Sequence, residues 1–227
     1  MLTGYELRPS GRGLQEGERQ VLGVYNYTVI LTYIGMLTGF VGVSFTLAGD
    51  VKSALICLMI AGFCDMFDGK IASTMERTRQ EKRFGVQIDS MSDLICFGVL
   101  PALAVYAAAG EGTLRLAAAC LYVLCALIRL SWFNVDEEER QEQEGGSRHI
   151  YYGLPVTASA LLFPVALGLC TLYDWPVKWV GPAVLAVTAA AFVTPFRIKK
   201  PRLPGQIVFV LIGVLALTIV ILAWRKA

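Results

Sequence analysis

Apolar runs long enough to cross a bilayer recur along this whole chain, and they constrain it more than any motif does. They lie at about 25–48, 51–75, 86–109, 113–135, 154–173, 176–195 and 204–224. A hydrocarbon core takes about 20 apolar helical residues to span. The pattern therefore predicts an all-α polytopic membrane protein with about seven transmembrane helices. The runs are continuous rather than alternating, which argues against a β-barrel. Of the 227 residues 56% are hydrophobic and 17% charged, more apolar surface than a soluble domain of this size needs. The connections "AGD" (48–50) and "AGEGT" (109–113) are short and contain glycine, so their flanking helices are expected to be antiparallel neighbours.

The distribution of Lys and Arg predicts orientation. With the N-terminus in the cytoplasm, thirteen of them fall on inner segments and five on outer ones, which favours N-terminus in and C-terminus out. An even number of spans would return the C-terminus to the cytoplasm. Residues 1–24 read as a cytoplasmic or interfacial segment, since the first 20 lack the apolar core of a signal peptide. The net charge of +2 gives no reason to expect a nucleic acid partner. Cys57, Cys64, Cys96, Cys120, Cys125 and Cys170 all lie in apolar segments without metal-ligand spacing; they read as small hydrophobes. No inverted repeat of the kind transporters carry is visible.

Against this background, "FCDMFDGKIAST" (63–74) and "FGVQIDSMSDLICFGVLPAL" (84–103) carry carboxylates where lipid-facing residues would be apolar. Asp65 and Asp68 are three apart, Asp89 and Asp93 four apart, so each pair shares one helix face. The basic stretch "ERTRQEKR" (76–83) joins the two helices at the cytoplasmic side. Four carboxylates at similar depth repel unless some are protonated or a cation lies between them. A hard divalent cation with oxygen ligands answers that, and four carboxylates suffice for two ions. The competing reading makes them interfacial residues pointing into water. Gly69, Ala72 and Gly85 would let a helix or a ligand's phosphate approach the backbone; for each alone, ordinary helix packing serves equally well.

Asp65-x2-Asp68-Gly69-x2-Ala72 followed by Gly85-x3-Asp89-x3-Asp93 resembles the signature of the CDP-alcohol phosphatidyltransferase family, D-x2-D-G-x2-A-R-x8-G-x3-D-x3-D. The segments "IRLSWFNV" (128–135) and "YYGLPVTASALLFP" (151–164) are similar to its phosphatidylserine synthase branch. Two departures stand out: the family's Arg is Ser73 here, and eleven residues rather than eight precede Gly85. That puts the nucleotide contact of the family's Arg in doubt. Arg77 falls one helical turn beyond Ser73 if the helix continues, and would then supply a guanidinium on the same face.

The resemblance implies transfer of a phosphatidyl group from CDP-diacylglycerol to an alcohol, with release of CMP. It implies a six-helix catalytic core within residues 25–195, leaving 196–227 as a basic loop and an additional helix. It also implies Mg2+ or Mn2+, two per site, on Asp65, Asp68 and Asp89, with Asp93 as the fourth carboxylate and the general base. CDP-diacylglycerol would be bound by Asp68, Gly69, Ala72, Ser73, Arg77 and Gly85. The similarity points to L-serine as acceptor; glycerol 3-phosphate, inositol and inositol phosphate are the alternatives, and a cation or proton transporter the reading outside the class. Arg129, Asn134 and Arg148 are the candidates to hold serine, although Arg129 reads equally as a structural partner of an aspartate. The expected setting is the cell membrane of a prokaryote, with the site facing the cytoplasm and a homodimer as the assembly.

The acidic stretch 136–153 reads as a solvated helix extension, and the lone His149 as an exposed loop residue. "GMLTG" (35–39) suits close helix packing, within the chain or across a dimer. "FRIKKPR" (196–202) reads as an interfacial anchor for anionic lipid.

Overall fold

A computed structural model of the chain describes residues 23–142, 150–199 and 203–226. The chain starts its first helix, α1 (Tyr27–Leu47), at Asn26, whose side chain accepts from the Thr28 N–H at 3.2 Å. Gly49, at φ +82°, makes the turn that a Cβ would oppose. Asp50 then caps α2 (Val51–Ala72), accepting from the Ser53 N–H at 3.0 Å. The predicted hairpin is therefore present, and α1 packs chiefly along α2.

The next helix begins at Arg79, well before the apolar run itself. Thr78 and Glu81 form a reciprocal capping box, each side chain bonded to the other's backbone N–H. It runs as α3 (Arg79–Asp93), widens into a π-turn over Leu94–Val99, and continues as α4 (Leu100–Ala109). Then come α5 (Thr113–Glu142), a 3-10 turn at Val156–Ala158, α6 (Ser159–Leu172), α7 (Val177–Val193) and α8 (Leu203–Lys226). Pro155 precedes the 3-10 turn and delays α6 relative to the apolar run. Of the stretch 136–153 expected as a helix extension, α5 takes the part up to Glu142; Ile150–Tyr152 is strand instead, and 143–149 lie outside the described residues. Beside the helices, β1 (Ile150–Tyr152) pairs antiparallel with β2 (Arg197–Lys199). This is a small addition to the all-α expectation.

Tyr27–Leu47, Arg79–Ala109 and Thr113–Glu139 are long and apolar enough to cross a membrane. α2 has comparable length but carries Lys52, Asp65, Asp68 and Lys70. The apolar stretches Val156–Leu172, Val177–Val193 and, within α8, Leu211–Arg225 are shorter. The core lies where α2, α4, α5, α6 and α7 meet, with Leu58, Leu100, Tyr122, Phe163, Leu185 and Phe192 fully buried. Outside, large apolar side chains such as Leu37, Phe40, Leu121, Trp132, Val187 and Leu211 stand exposed. An apolar exterior of this extent fits lipid and not water. At the α6–α7 turn Tyr173 stacks on Trp175 at 5.7 Å, with Trp179 exposed nearby, an arrangement typical of a membrane interface.

The glycine stripe of α1 is used within the chain. A methyl group on Gly35 would sit 3.3 Å from Cys64 Cβ, one on Gly39 would collide with Cys96 Sγ, and one on Gly42 would sit 2.9 Å from Cys57 Cβ. These three thiols pack as small side chains against the stripe, and all six cysteines are free. The close approach of α1 brings its polar residues to the acidic face of α2.

Candidate active site

The ends of four helices are stitched together around the connection from α2 to α3. Asn26 Nδ2 donates to Glu81 Oε1 at 3.2 Å, Tyr27 and Thr74 share a hydroxyl hydrogen bond of 3.1 Å, and Arg83 pairs with Glu138. The start of α1, the end of α2, the start of α3 and the polar extension of α5 therefore share one end of the molecule. α3 projects its charged first turns beyond the end of α2, which sets Asp89 and Asp93 opposite Asp68 and Asp65.

All four carboxylates come together. Asp65 and Asp93 lie within hydrogen-bonding reach of each other, and so do Asp68 and Asp89. One ligand oxygen each from Asp65, Asp89 and Asp93 fall within 4.8 Å of one another. Asp68 stands beside this trio, held from α1 by Thr32, whose Oγ1 donates to Asp68 Oδ2 at 3.3 Å. The cleft is completed by Leu31, Gly35, Ala61, Cys64, Ser92, Cys96 and Phe97. Among the described residues no Lys or Arg lines it. Carboxylates this close share a proton or a cation, and the set is all hard oxygen donors, which suits Mg2+ or Mn2+.

The small residues differ in surroundings. A methyl group on Gly69 would meet open space, so that glycine is not required by helix packing. Gly85 instead carries a neighbour: a methyl there would lie 3.2 Å from Arg77 Nη1. Ala72 ends α2, and Ser73 is its C-cap, with Oγ donating to the Lys70 carbonyl at 2.6 Å. The helix therefore does not continue to Arg77, which corrects the expectation that Arg77 shares a helix face with Ser73. Arg77 lies in the non-helical connection, with its Nη1 beside Gly85. Its Nε is buried and lacks a hydrogen-bond partner among the described residues.

On α5, Asn134 Oδ1 accepts from Ser90 Oγ at 2.6 Å, next to Asp89 in the chain. Arg129 is buried and its Nε donates to the Leu154 carbonyl at 3.3 Å, beneath the Gly153–Leu154 turn. Neither lines the carboxylate cleft. Arg148 and His149 lie outside the described residues. Sequence reasoning missed Thr32 and the Ser90–Asn134 bond. A threonine in an apolar helix carries no signal of its own; only the α1–α2 register aims it.

The chain matches the model of the family described as CDP-alcohol phosphatidyltransferase over residues 25–224. It is 32% identical over 133 residues to an archaetidylserine synthase of Methanothermobacter thermautotrophicus, covering 58% of this chain and 53% of that protein. To a CDP-diacylglycerol–serine O-phosphatidyltransferase of Mycobacterium tuberculosis it is 25% identical over 194 residues, or 82% and 66% of the two chains. The enzyme of that name from Saccharomyces cerevisiae is 32% identical over 146 residues, 59% of this chain and 52% of the yeast protein. The chain thus spans between about half and two thirds of the length of these relatives.

Proposed function

The chain belongs to the CDP-alcohol phosphatidyltransferase family, and from that premise we propose that it makes phosphatidylserine from CDP-diacylglycerol and L-serine, releasing CMP. The observation that carries the reaction class is the gathering of Asp65, Asp89 and Asp93, with Asp68 beside them, in a cleft that no described Lys or Arg lines. The choice of serine is supported by the names its relatives carry. The setting proposed is seven spans in a prokaryotic cell membrane, N-terminus and site on the cytoplasmic side, with residues 25–195 as the catalytic core and 196–227 appended. A homodimer would form through surfaces other than the Gly35–Gly39 stripe, which the chain uses internally.

Asp65, Asp68 and Asp89 would be the principal holders of the divalent ion, Mg2+ or Mn2+ and two in the family's pattern, with Asp93 as the fourth carboxylate beside them; the ion when bound would neutralise the pyrophosphate and the leaving CMP. Gly69, open to its surroundings, admits the nucleotide head close to the backbone. Ala72 and Ser73 border that approach, and Arg77 over Gly85 pairs with the pyrophosphate. The acyl tails stay in lipid. Arg129, Asn134 and Arg148 are the proposed groups for the serine carboxylate and ammonium, Arg129 and Asn134 from outside the carboxylate cleft. Asp93 then takes the proton from the serine hydroxyl as its oxygen bonds to the phosphorus bearing diacylglycerol and the bond to CMP breaks.

The test is CMP release by purified protein given CDP-diacylglycerol and a panel of alcohols, with and without chelator. Release with serine alone, abolished by chelation, is the expected result. Release with glycerol 3-phosphate, inositol or inositol phosphate would overturn the choice of serine. No release, with cation flux in proteoliposomes, would favour a transporter. Arg77→Ala is expected to raise the KM for CDP-diacylglycerol by about ten- to a hundredfold, the size of a lost charge-assisted contact. An unchanged KM and CDP affinity would remove Arg77 from the site.

A further inference from the structure

We propose that Tyr122, with Ser159 behind it, is a positioning residue for the carboxylates of α3, because it holds the π-turn that comes after Asp93. The proposal rests on the reading of those carboxylates as the metal site. In an α-helix the Phe97 carbonyl would accept the N–H of residue 101, but that residue is Pro101, which has none and crowds that carbonyl with its ring. The helix widens instead: over Leu94–Val99 it is a π-turn, with the Leu100 N–H bonded to the Ile95 carbonyl. The Tyr122 hydroxyl supplies the missing donor to Phe97 O at 2.6 Å. Its oxygen also lies 2.7 Å from Ser159 Oγ. A carbonyl can only accept and a phenol has one proton, so Ser159 donates to Tyr122 and Tyr122 to Phe97.

The pair sits in the centre of the core. Tyr122 is fully buried, with Phe163 edge-on at 5.3 Å and Phe192 at 5.4 Å. Phe97 is four residues past Asp93 and, with Cys96, lines the carboxylate cleft. One residue more or less in a helical turn rotates the helix before it by about 100° relative to the helix after it. Since α4 is anchored in the core, the direction in which Asp89 and Asp93 point depends on this turn remaining π. Three elements, α5, α6 and the turn itself, thus converge on one hydrogen bond at the base of the site.

Tyr122→Phe removes the hydroxyl and keeps the ring. Direct Mn2+ binding to the purified protein without substrate, read from the free-ion electron paramagnetic resonance signal, is expected to weaken by about tenfold, the usual cost of losing an outer partner of a metal site. Ser159→Ala should weaken it in the same direction by less. Helical content should stay the same, and phosphatidyl transfer should return at higher Mn2+. A lower melting temperature with wild-type Mn2+ affinity would overturn the proposal, leaving Tyr122 a core residue only. If Tyr122→Phe does not fold, Ser159→Ala decides: wild-type affinity overturns. A wild-type protein that does not bind Mn2+ would overturn the metal reading and this proposal with it. Wild-type binding that Tyr122→Phe leaves unchanged overturns this proposal alone.

Discussion

Asp93→Asn is expected to reduce phosphatidyl transfer on the order of a thousandfold, the scale of a lost general base, while binding of Mn2+ and CDP-diacylglycerol persists. Shape supports this as well as chemistry. Asn keeps the outline of Asp, and its amide N–H can donate to the Asp65 carboxylate that Asp93 meets in the native protein. The cleft should therefore keep its form, and the variant should fold. What it loses is the ability to take the proton from the serine hydroxyl. Single-turnover release of CMP, beside separate binding measurements, checks the split. Loss of Mn2+ or lipid-nucleotide binding in this variant would show that Asp93 serves as a ligand and not as the base.

The second large effect is on the metal. Asp89 is in contact with Asp68 and belongs to the trio with Asp65 and Asp93, so it joins the two halves of the set. Asp89→Ala should weaken Mn2+ binding more than a hundredfold, at the top of the range or beyond what losing an outer partner costs. Transfer should then stay undetectable however much metal is added. The same variant has a stability signature that separates a ligand from a fold residue. Removing one of several crowded carboxylates relieves repulsion, so in chelator the variant should melt no lower than wild type. The rise in melting temperature that Mn2+ gives wild type by binding only the folded state should be absent. A variant that melts lower in chelator yet still gains from Mn2+ would make Asp89 structural.

Much of this was legible in the sequence, and the reasons can be traced to particular residues. The apolar runs placed the helices because hydropathy is a property of local composition. The pairs Asp65/Asp68 and Asp89/Asp93 declared shared faces because helical spacing alone puts them there. Boundaries were less legible. The third apolar run begins near residue 86, but Thr78 and Glu81 start the helix at Arg79; the capping pattern is local but carries no hydropathy signal. Arg77 was expected on a helix face, and the C-cap at Ser73 ended that helix first. The GxxxG of α1 stated that something would pack closely there. That the partner is α2 and the π-turn, with Cys64 and Cys96 filling the stripe, is a matter of which helices are neighbours.

Composition and spacing by themselves determined that the chain is a set of apolar helices, that four carboxylates sit on two of them, and that a phosphatidyltransferase-like signature joins those two. These are one-dimensional properties, set by neighbours within a turn or two. Only the tertiary structure decided that Asp65 meets Asp93 and Asp68 meets Asp89, that Thr32 serves Asp68 from another helix, and that Tyr122 supplies the donor Pro101 withholds from Phe97. Each of those contacts depends on the register and rotation of one helix against another. That choice is made by the packing of the whole core and is written in no single segment.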